Sequence, residues 1–352
     1  MRCLALADAL AAKGAECHFI CRAHQGHLIE FIRGKGHAVH ALPVSSMEGA
    51  DAAAPFQQAA ATAYADWLGA TQAQDAEGCA PILAVLQPDW LIVDHYALDA
   101  RWEKALSPHY VKLMVIDDLA DRPHACDVLL DQTFGRAEDD YRPLVPDACH
   151  LLCGSQYALL RPEFAALRPY SLRRRTQPAL RELLISMGGV DKDNATGAVL
   201  EALRACQLPT DCRITVVKGA TAPWLDDVQT QADDMPWPTR VLVGVRDMAQ
   251  LMADSDLAIG AAGATSWERC CLGVPTIALA LAPNQLTALQ LLEREGVLIA
   301  SSLPKLAADL PHIIESIFWN DLIVKVSKRA SHIVDGVGCG RVTECLMEVN
   351  HG

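Results

Sequence analysis

The stretch Leu257-Ala258-Ile259-Gly260-Ala261-Ala262-Gly263-Ala264-Thr265-Ser266-Trp267-Glu268 decides how the chain is read. It opens as a short apolar run, as expected of a strand buried on both faces. The run ends in small residues, and Thr265 or Ser266 can cap the helix that follows. Gly273 and Pro275 stop that helix, and Thr276–Leu279 is apolar again. Strand, glycine turn, helix and strand in that order imply a parallel sheet with helices on its faces. Small residues at a helix start leave room for a diphosphate against bare amides. Glu268 sits in the first turn, where the helix dipole stabilises a carboxylate or where it can accept hydrogen bonds from a ribose diol. Close helix–sheet packing is the other reading of the tract.

Outward from this tract the same pattern repeats. Ile185-Ser186-Met187-Gly188-Gly189, followed by Asp191-Lys192-Asp193-Asn194, is a strand entering a glycine turn and then a helix. It is not G-x-G-x-x-G, so it reads as an anion-binding turn or a plain tight turn, not a dinucleotide fingerprint. Ala282-Pro283-Asn284-Gln285 leads from strand Thr276–Leu279 to the next helix. Asn284 and Gln285 offer donors and acceptors to sugar hydroxyls or acetamides, or form a capping turn. Further strands are expected at Glu182–Ser186, Arg213–Lys218, Thr239–Val243 and Val297–Ala300, and in the first half at Glu16–Cys21, Ala38–Pro43, Trp90–Val93, Leu113–Ile116, Val128–Leu130 and Cys149–Cys153. Residues 161–178 hold three prolines and five arginines without a period. They read as a linker. The expected organisation is α/β: a Rossmann-like domain at 1–165, a second at 178–320 facing it across a cleft, and a helical segment at 321–352 interrupted near Asp335–Gly340.

The first half carries its own candidates. Met1 to Leu10 reads as an amphipathic helix, so the chain enters the alternation at a helix rather than at a strand. Asp94-His95-Tyr96 follows strand Trp90–Val93, at the edge where open α/β sheets bind ligands. The three supply an acid, a base and a hydrogen-bond donor. Asp117-Asp118 and Asp131 end the next two strands. Their carboxylates raise a metal site, but the side chains diverge and no histidine is regularly spaced. Cys149, His150 and Cys153 mimic a zinc set without a second cysteine pair. No metal or cofactor is expected.

Composition narrows the classes. A length of 352 residues suggests about two domains. The net charge of −13 disfavours a nucleic-acid surface but not a small anionic ligand. No apolar run reaches the ~18–20 residues of a membrane span, and no signal peptide stands at the start. The thirteen cysteines include no C-x-x-C pair and read as reduced thiols of a cytoplasmic protein.

Together these motifs resemble the UDP-sugar hydrolases of pseudaminic acid biosynthesis, which release UDP from UDP-2,4-diacetamido-2,4,6-trideoxy-β-L-altropyranose. The resemblance runs over nearly the whole chain. It takes in MRCLALADAL, Ile92 to Tyr96, Ile116-Asp117-Asp118, Cys153-Gly154, Tyr157 to Phe164, Ser186 to Gly189, Gly263 to Glu268 and Asn284-Gln285. It implies a glycosyltransferase-B fold, similar to that of the lipid-II-forming N-acetylglucosaminyltransferase. It also implies that Met187, Gly188, Gly189 and Val245 lie near base and phosphates. Gly263, Ala264, Thr265 and Ser266 would face the diphosphate, Glu268 the ribose, and Asn284 and Gln285 the phosphate or sugar. Tyr96 and Asp94 would be catalytic and Arg2 would contact substrate. Water would attack the anomeric carbon with inversion, giving UDP and a free sugar destined for bacterial surface glycans such as those on flagellin. A related transferase and a non-catalytic UDP-sugar-binding protein are the alternatives.

The family's general base is a histidine in G-x-G-H-x-x-R-C, of which Arg2-Cys3 match the last two positions. The expectation is an in-frame extension of about 15–20 residues upstream, a strand plus a loop ending in Gly-x-Gly-His. A form beginning at Met1 should then be poorly folded and lose about 10²–10⁴ in rate. Expressing both forms and assaying UDP release tests this, and full activity from Met1 would refute it.

Overall fold

The computed structural model describes residues 1–44, 64–177, 179–219, 221–319 and 322–349. The expected domain-edge positions 178, 320, 321 and 352 lie outside them. Among the described residues the apolar runs form twelve strands: β1 His18–Arg22, β2 Ala38–Leu42, β3 Trp90–Val93, β4 Lys112–Ile116, β5 Val128–Asp131, β6 His150–Cys153, β7 Glu182–Ser186, β8 Arg213–Lys218, β9 Thr239–Val243, β10 Leu257–Ala261, β11 Thr276–Leu279 and β12 Ile299–Ser301. Every pairing is parallel. The chain divides into one unit of Met1–Tyr157 with Gly340–Gly352 and a second of Ala158–Cys339.

In the first unit β3-β4-β5-β6 form one sheet and β1-β2 another. Leu113, Val115 and Leu129 of the larger sheet pack with Leu83, Trp102 and Leu106 from the helices Gln72–Leu86 and Ala100–Leu106. Thr71 and Gln74 close a reciprocal capping box at the start of the longer helix, which fixes its entry. The helix Arg2–Ala11 buries Leu4, Ala5, Leu6 and Ala7.

In the second unit the order is β12-β11-β10-β7-β8-β9. From β7 the sheet grows outward through β8 and β9, and then from β10 the other way through β11 and β12. The order therefore reverses between β7 and β10, as in a doubly wound fold. Leu183, Ile185, Ile214, Val216, Leu257 and Ile259 form one core layer with the helices Ala195–Leu203 and Leu306–Trp319.

Two expectations are corrected. Residues 162–174, read as linker, form the helix Pro162–Arg174, with Pro162 at its first turn. Its buried side, though it seats Phe164, lacks an apolar period because guanidinium groups and a hydroxyl make most of its other contacts. Arg168 Nη2 donates to Ser331 O at 2.6 Å and Ser171 Oγ to Leu272 O at 2.7 Å. Arg175, just past the helix, donates to Gly273 O at 2.8 Å and Ser255 O at 3.0 Å, and also reaches Met252 O and Ala253 O. These acceptors terminate other helices, where carbonyls lack partners and the dipole favours a cation. The helix belongs to the second unit, as does Leu322–Ser331, while Gly338–Val349 runs almost wholly in the first. The last strand is shifted: β12 starts at Ile299, because Gly296 adopts φ 65° and Val297 N donates back to Leu292 O at 2.9 Å to close the helix Leu286–Arg294.

Burial lowers the Arg175 pKa to about 10, which leaves it a cation at neutral pH. Arg175→Met would strand several buried carbonyls. A loss of about 2–4 kcal/mol is expected, read as a lower urea midpoint at unchanged m-value.

Candidate functional site

Two sets of residues gather at carboxyl ends of strands, one in each unit. In the second unit the β7–β10 pairing sets Gly260 opposite Ser186. The turns after these strands, 187–191 and 262–266, therefore start side by side at the strand-order reversal, where doubly wound sheets bind ligands. Met187 is buried, while Gly188 and Gly189 are exposed. Gly188 needs its glycine because φ is 89°, and a Cβ at either glycine would meet nothing. The space above this turn is open. Below it, Asp191 accepts from Ala195 N at 2.8 Å, Thr196 N at 3.1 Å and Lys218 Nζ at 2.7 Å. The buried Lys218–Asp191 pair thus ties the turn to the end of β8.

The second turn departs from expectation in its cap. Ala264 holds the N-cap position of helix Thr265–Cys271, and no side chain caps it. The hydroxyls of Thr265 and Ser266 instead accept from Arg269, at 3.4 Å to Nη1 and 3.1 Å to Nη2. The sequence signal was an arginine inside the apolar run Trp267 to Leu272, which the motif reading passed over. Glu268 is half-buried; burial raises its pKa, opposed by Arg161 and Arg269. Gln285 comes to the same place: a Cβ on Gly263 would lie 3.7 Å from Gln285 Nε2, and Gln285 Oε1 accepts from Leu281 N at 2.9 Å. Asn284 is exposed in the same turn. Val245 follows β9, at the carboxyl edge but two strands from the reversal.

In the first unit Arg2 binds two carboxylates. Its Nε and Nη2 donate to Asp94 at 3.0 and 2.7 Å, and its Nη1 donates to both oxygens of Asp118 at 2.7 and 2.9 Å. Tyr96 Oη donates to Asp118 Oδ2 at 2.7 Å and Cys3 Sγ to Asp94 Oδ2 at 3.1 Å. Asp118 entered the sequence reading as a carboxylate of a possible metal site and as part of the Ile116-Asp117-Asp118 match; its place between Arg2 and Tyr96 was not read. The Tyr96 ring is held by Tyr64 and Trp67, at centroid distances of 5.2 and 6.0 Å. Burial and then Asp118 push the Tyr96 phenol above its ordinary range, so it remains protonated. Burial lowers the pKa of His95, whose Nδ1 accepts from Ala97 N at 3.1 Å.

Beside this cluster a second chain is buried. Tyr141 Oη shares its proton between Asp117 at 2.9 Å and Asp131 at 2.8 Å. Arg122 Nη1 lies 2.8 Å from Asp117 Oδ1, an ion pair without hydrogen-bond alignment. Arg136 Nε donates to Asp131 at 2.6 Å. The carboxylates that raised a metal site are thus engaged by arginines and by two tyrosines, Tyr96 and Tyr141. Among the described residues no group of three or more His, Cys, Asp or Glu is placed to hold a metal, and no helix is long and apolar enough to cross a membrane.

Two parallel α/β units, one of them doubly wound with glycine turns at its reversal point, define a glycosyltransferase-B fold. Acinetobacter baumannii MurG shares it with a TM-score of 0.69 at 14% identity, over 99% of this chain and 95% of its own. In sequence the chain is similar to the UDP-2,4-diacetamido-2,4,6-trideoxy-beta-L-altropyranose hydrolase of Campylobacter jejuni, 29% identical over 207 residues, 58% of this chain and 71% of that protein. It is also similar to the spore coat polysaccharide biosynthesis protein SpsG of Bacillus subtilis, 29% identical over 202 residues, 56% of this chain and 58% of that protein. No protein-family profile matches the chain.

The Asp94 clamp has a pH signature. Burial alone would raise the Asp94 pKa, but Arg2, by charge and hydrogen bonds, and Cys3 hold it below the ordinary value. A lowered carboxyl pKa adds stability that is complete above the unfolded value of about 3.9 and lost as pH falls through the folded value. Asp94→Asn should therefore cost about 1–2 kcal/mol at pH 7. Urea unfolding of both proteins should show the gap narrowing on acidification toward pH 2.

Proposed function

We propose that the protein hydrolyses a UDP-linked 2,4-diacetamido-2,4,6-trideoxy sugar to UDP and the free sugar. The observation that carries this reading is the reversal point of the second unit, where two glycine turns start side by side at the position at which a doubly wound sheet takes a ligand. The likeness to the Campylobacter hydrolase supplies the substrate and the reaction. UDP would lie across turns 187–189 and 263–266, its diphosphate against backbone amides, its ribose on Glu268, and Asn284 and Gln285 toward the phosphate or sugar. Donors fixed in place before reaction favour departure of the charged diphosphate. Val245 would border the base.

The first unit would supply the reacting-centre groups. Tyr96, whose hydroxyl donates its hydrogen bond to Asp118, presents oxygen lone pairs to a water or a sugar hydroxyl. It orients rather than deprotonates, since its phenol stays protonated. Asp94, committed to Arg2, holds that guanidinium in place. The glycosyltransferase-B fold keeps transfer to an acceptor as a second reading.

UDP at one hundred times its dissociation constant should stabilise the protein by roughly 2.7 kcal/mol, and Glu268→Ala should weaken binding of UDP. Absence of any thermal shift with UDP would remove the nucleotide assignment. Incubation with the UDP-diacetamido sugar in buffer alone separates the two reactions: free sugar appearing with UDP indicates hydrolysis, and turnover only with an added acceptor indicates transfer.

A further inference from the structure

Arg269 is fully buried, and its guanidinium crosses beneath the second glycine turn. Nη2 donates to Ala261 O at 2.7 Å, before the turn, and to Ser266 Oγ at 3.1 Å, after it. Gly260 leaves room for it: a Cβ there would stand 2.3 Å from Arg269 Nη1 and 2.8 Å from Ser186 O. Other buried cations of the protein have acidic or multiple carbonyl partners. Lys218 has Asp191, Arg22 has Asp75, Arg122 has Asp117, and Arg175 has a set of helix-end carbonyls. Arg269 has one carbonyl and two hydroxyls. Among the described residues no carboxylate forms an ion pair with it, and its buried Nε has no hydrogen-bond partner. Burial lowers its pKa to about 10, so the charge persists at neutral pH. Glu268, its neighbour in sequence, acts on it only through space, and a buried charge without a hydrogen-bonded counter-ion is expensive.

We infer that Arg269 is a positioning residue for a diphosphate-bearing ligand, shaping the 262–266 turn from below and supplying the positive charge that such a ligand neutralises. This rests on the nucleotide reading above and names the part of the ligand that the turn selects. A guanidinium can only donate. Ser266, and more weakly Thr265, therefore accept from it, and their own hydroxyl hydrogens are left to donate elsewhere. An anion over the turn is the matching acceptor. A neutral nucleoside would gain nothing from this arrangement.

The test is calorimetric titration of the full chain with UDP and with uridine, for wild type, Arg269→Met and Arg269→Lys. Arg269→Met should bind UDP at least about tenfold more weakly and uridine within about twofold of wild type. Arg269→Lys keeps a charge but cannot bridge Ala261 and Ser266 in the same way, and should fall between the two. It carries the test if the Met variant does not fold. A UDP-to-uridine affinity ratio unchanged in a folded variant, or equal losses for both ligands, would overturn the inference and leave the nucleotide reading standing. A wild-type protein that binds neither ligand would overturn both.

Discussion

The parallel pairing of β7 with β10 is the constraint on which the rest of the second unit depends. These strands are adjacent in space but separated by the whole β8–β9 half, so the pairing is where two winding directions meet. It places Ser186 beside Gly260 and aligns the turns that follow. The approach is close enough to dictate residue identity. A Cβ on Gly260 would lie 2.8 Å from Ser186 O, and one on Gly219, after β8, would lie 2.0 Å from Gly189 O. Backbone is packed on backbone beneath the turns, while the space above Gly188 and Gly189 is open. A rigid floor under an open surface favours ligand-binding loops, because the floor need not rearrange when a ligand arrives.

Positive charge is handled in two ways. Where a cation must be fixed, as with Arg2 or Lys218, a carboxylate meets it at hydrogen-bond distance. Where a cation serves to join elements, as with Arg168 and Arg175, it gathers carbonyls from helix ends. The second device uses partial charges already present in the backbone, so it requires no acidic residue and leaves little trace in a motif.

That explains what could be read from the sequence. Twelve short apolar runs were legible because strands of a helix-covered parallel sheet draw on few residue types, most strictly in the fully buried β5, β10 and β11. The glycine turns were legible because Gly188 and Gly260 occupy positions that a side chain would strain or fill. The helix at 162–174 was not, since arginines and a serine share its inner face with Phe164 and break the apolar period. Nor was the role of Thr265 and Ser266, whose hydroxyls look like caps until Arg269, one turn later, is seen to claim them. In the first unit, Asp94 and Tyr96 were placed at the end of β3, but their partner Asp118 and the clamp on Arg2 depend on pairings across 92 and 116 residues that no local pattern carries.

The buried chain of Arg122, Asp117, Tyr141, Asp131 and Arg136 has a consequence for how this unit can change. Two cations and two carboxylates joined through one phenol are neutral as a set. Removing Asp117, Asp131 or Arg122 leaves an odd buried charge, with a partner that has lost its match, whereas Arg136, 21% exposed, stands at the wet end of the chain. Exchanging a cation and its carboxylate together keeps the sum at zero. The chain therefore behaves as a matter of parity: substitutions here are tolerable in couples and not one at a time, and their effects on stability will not add.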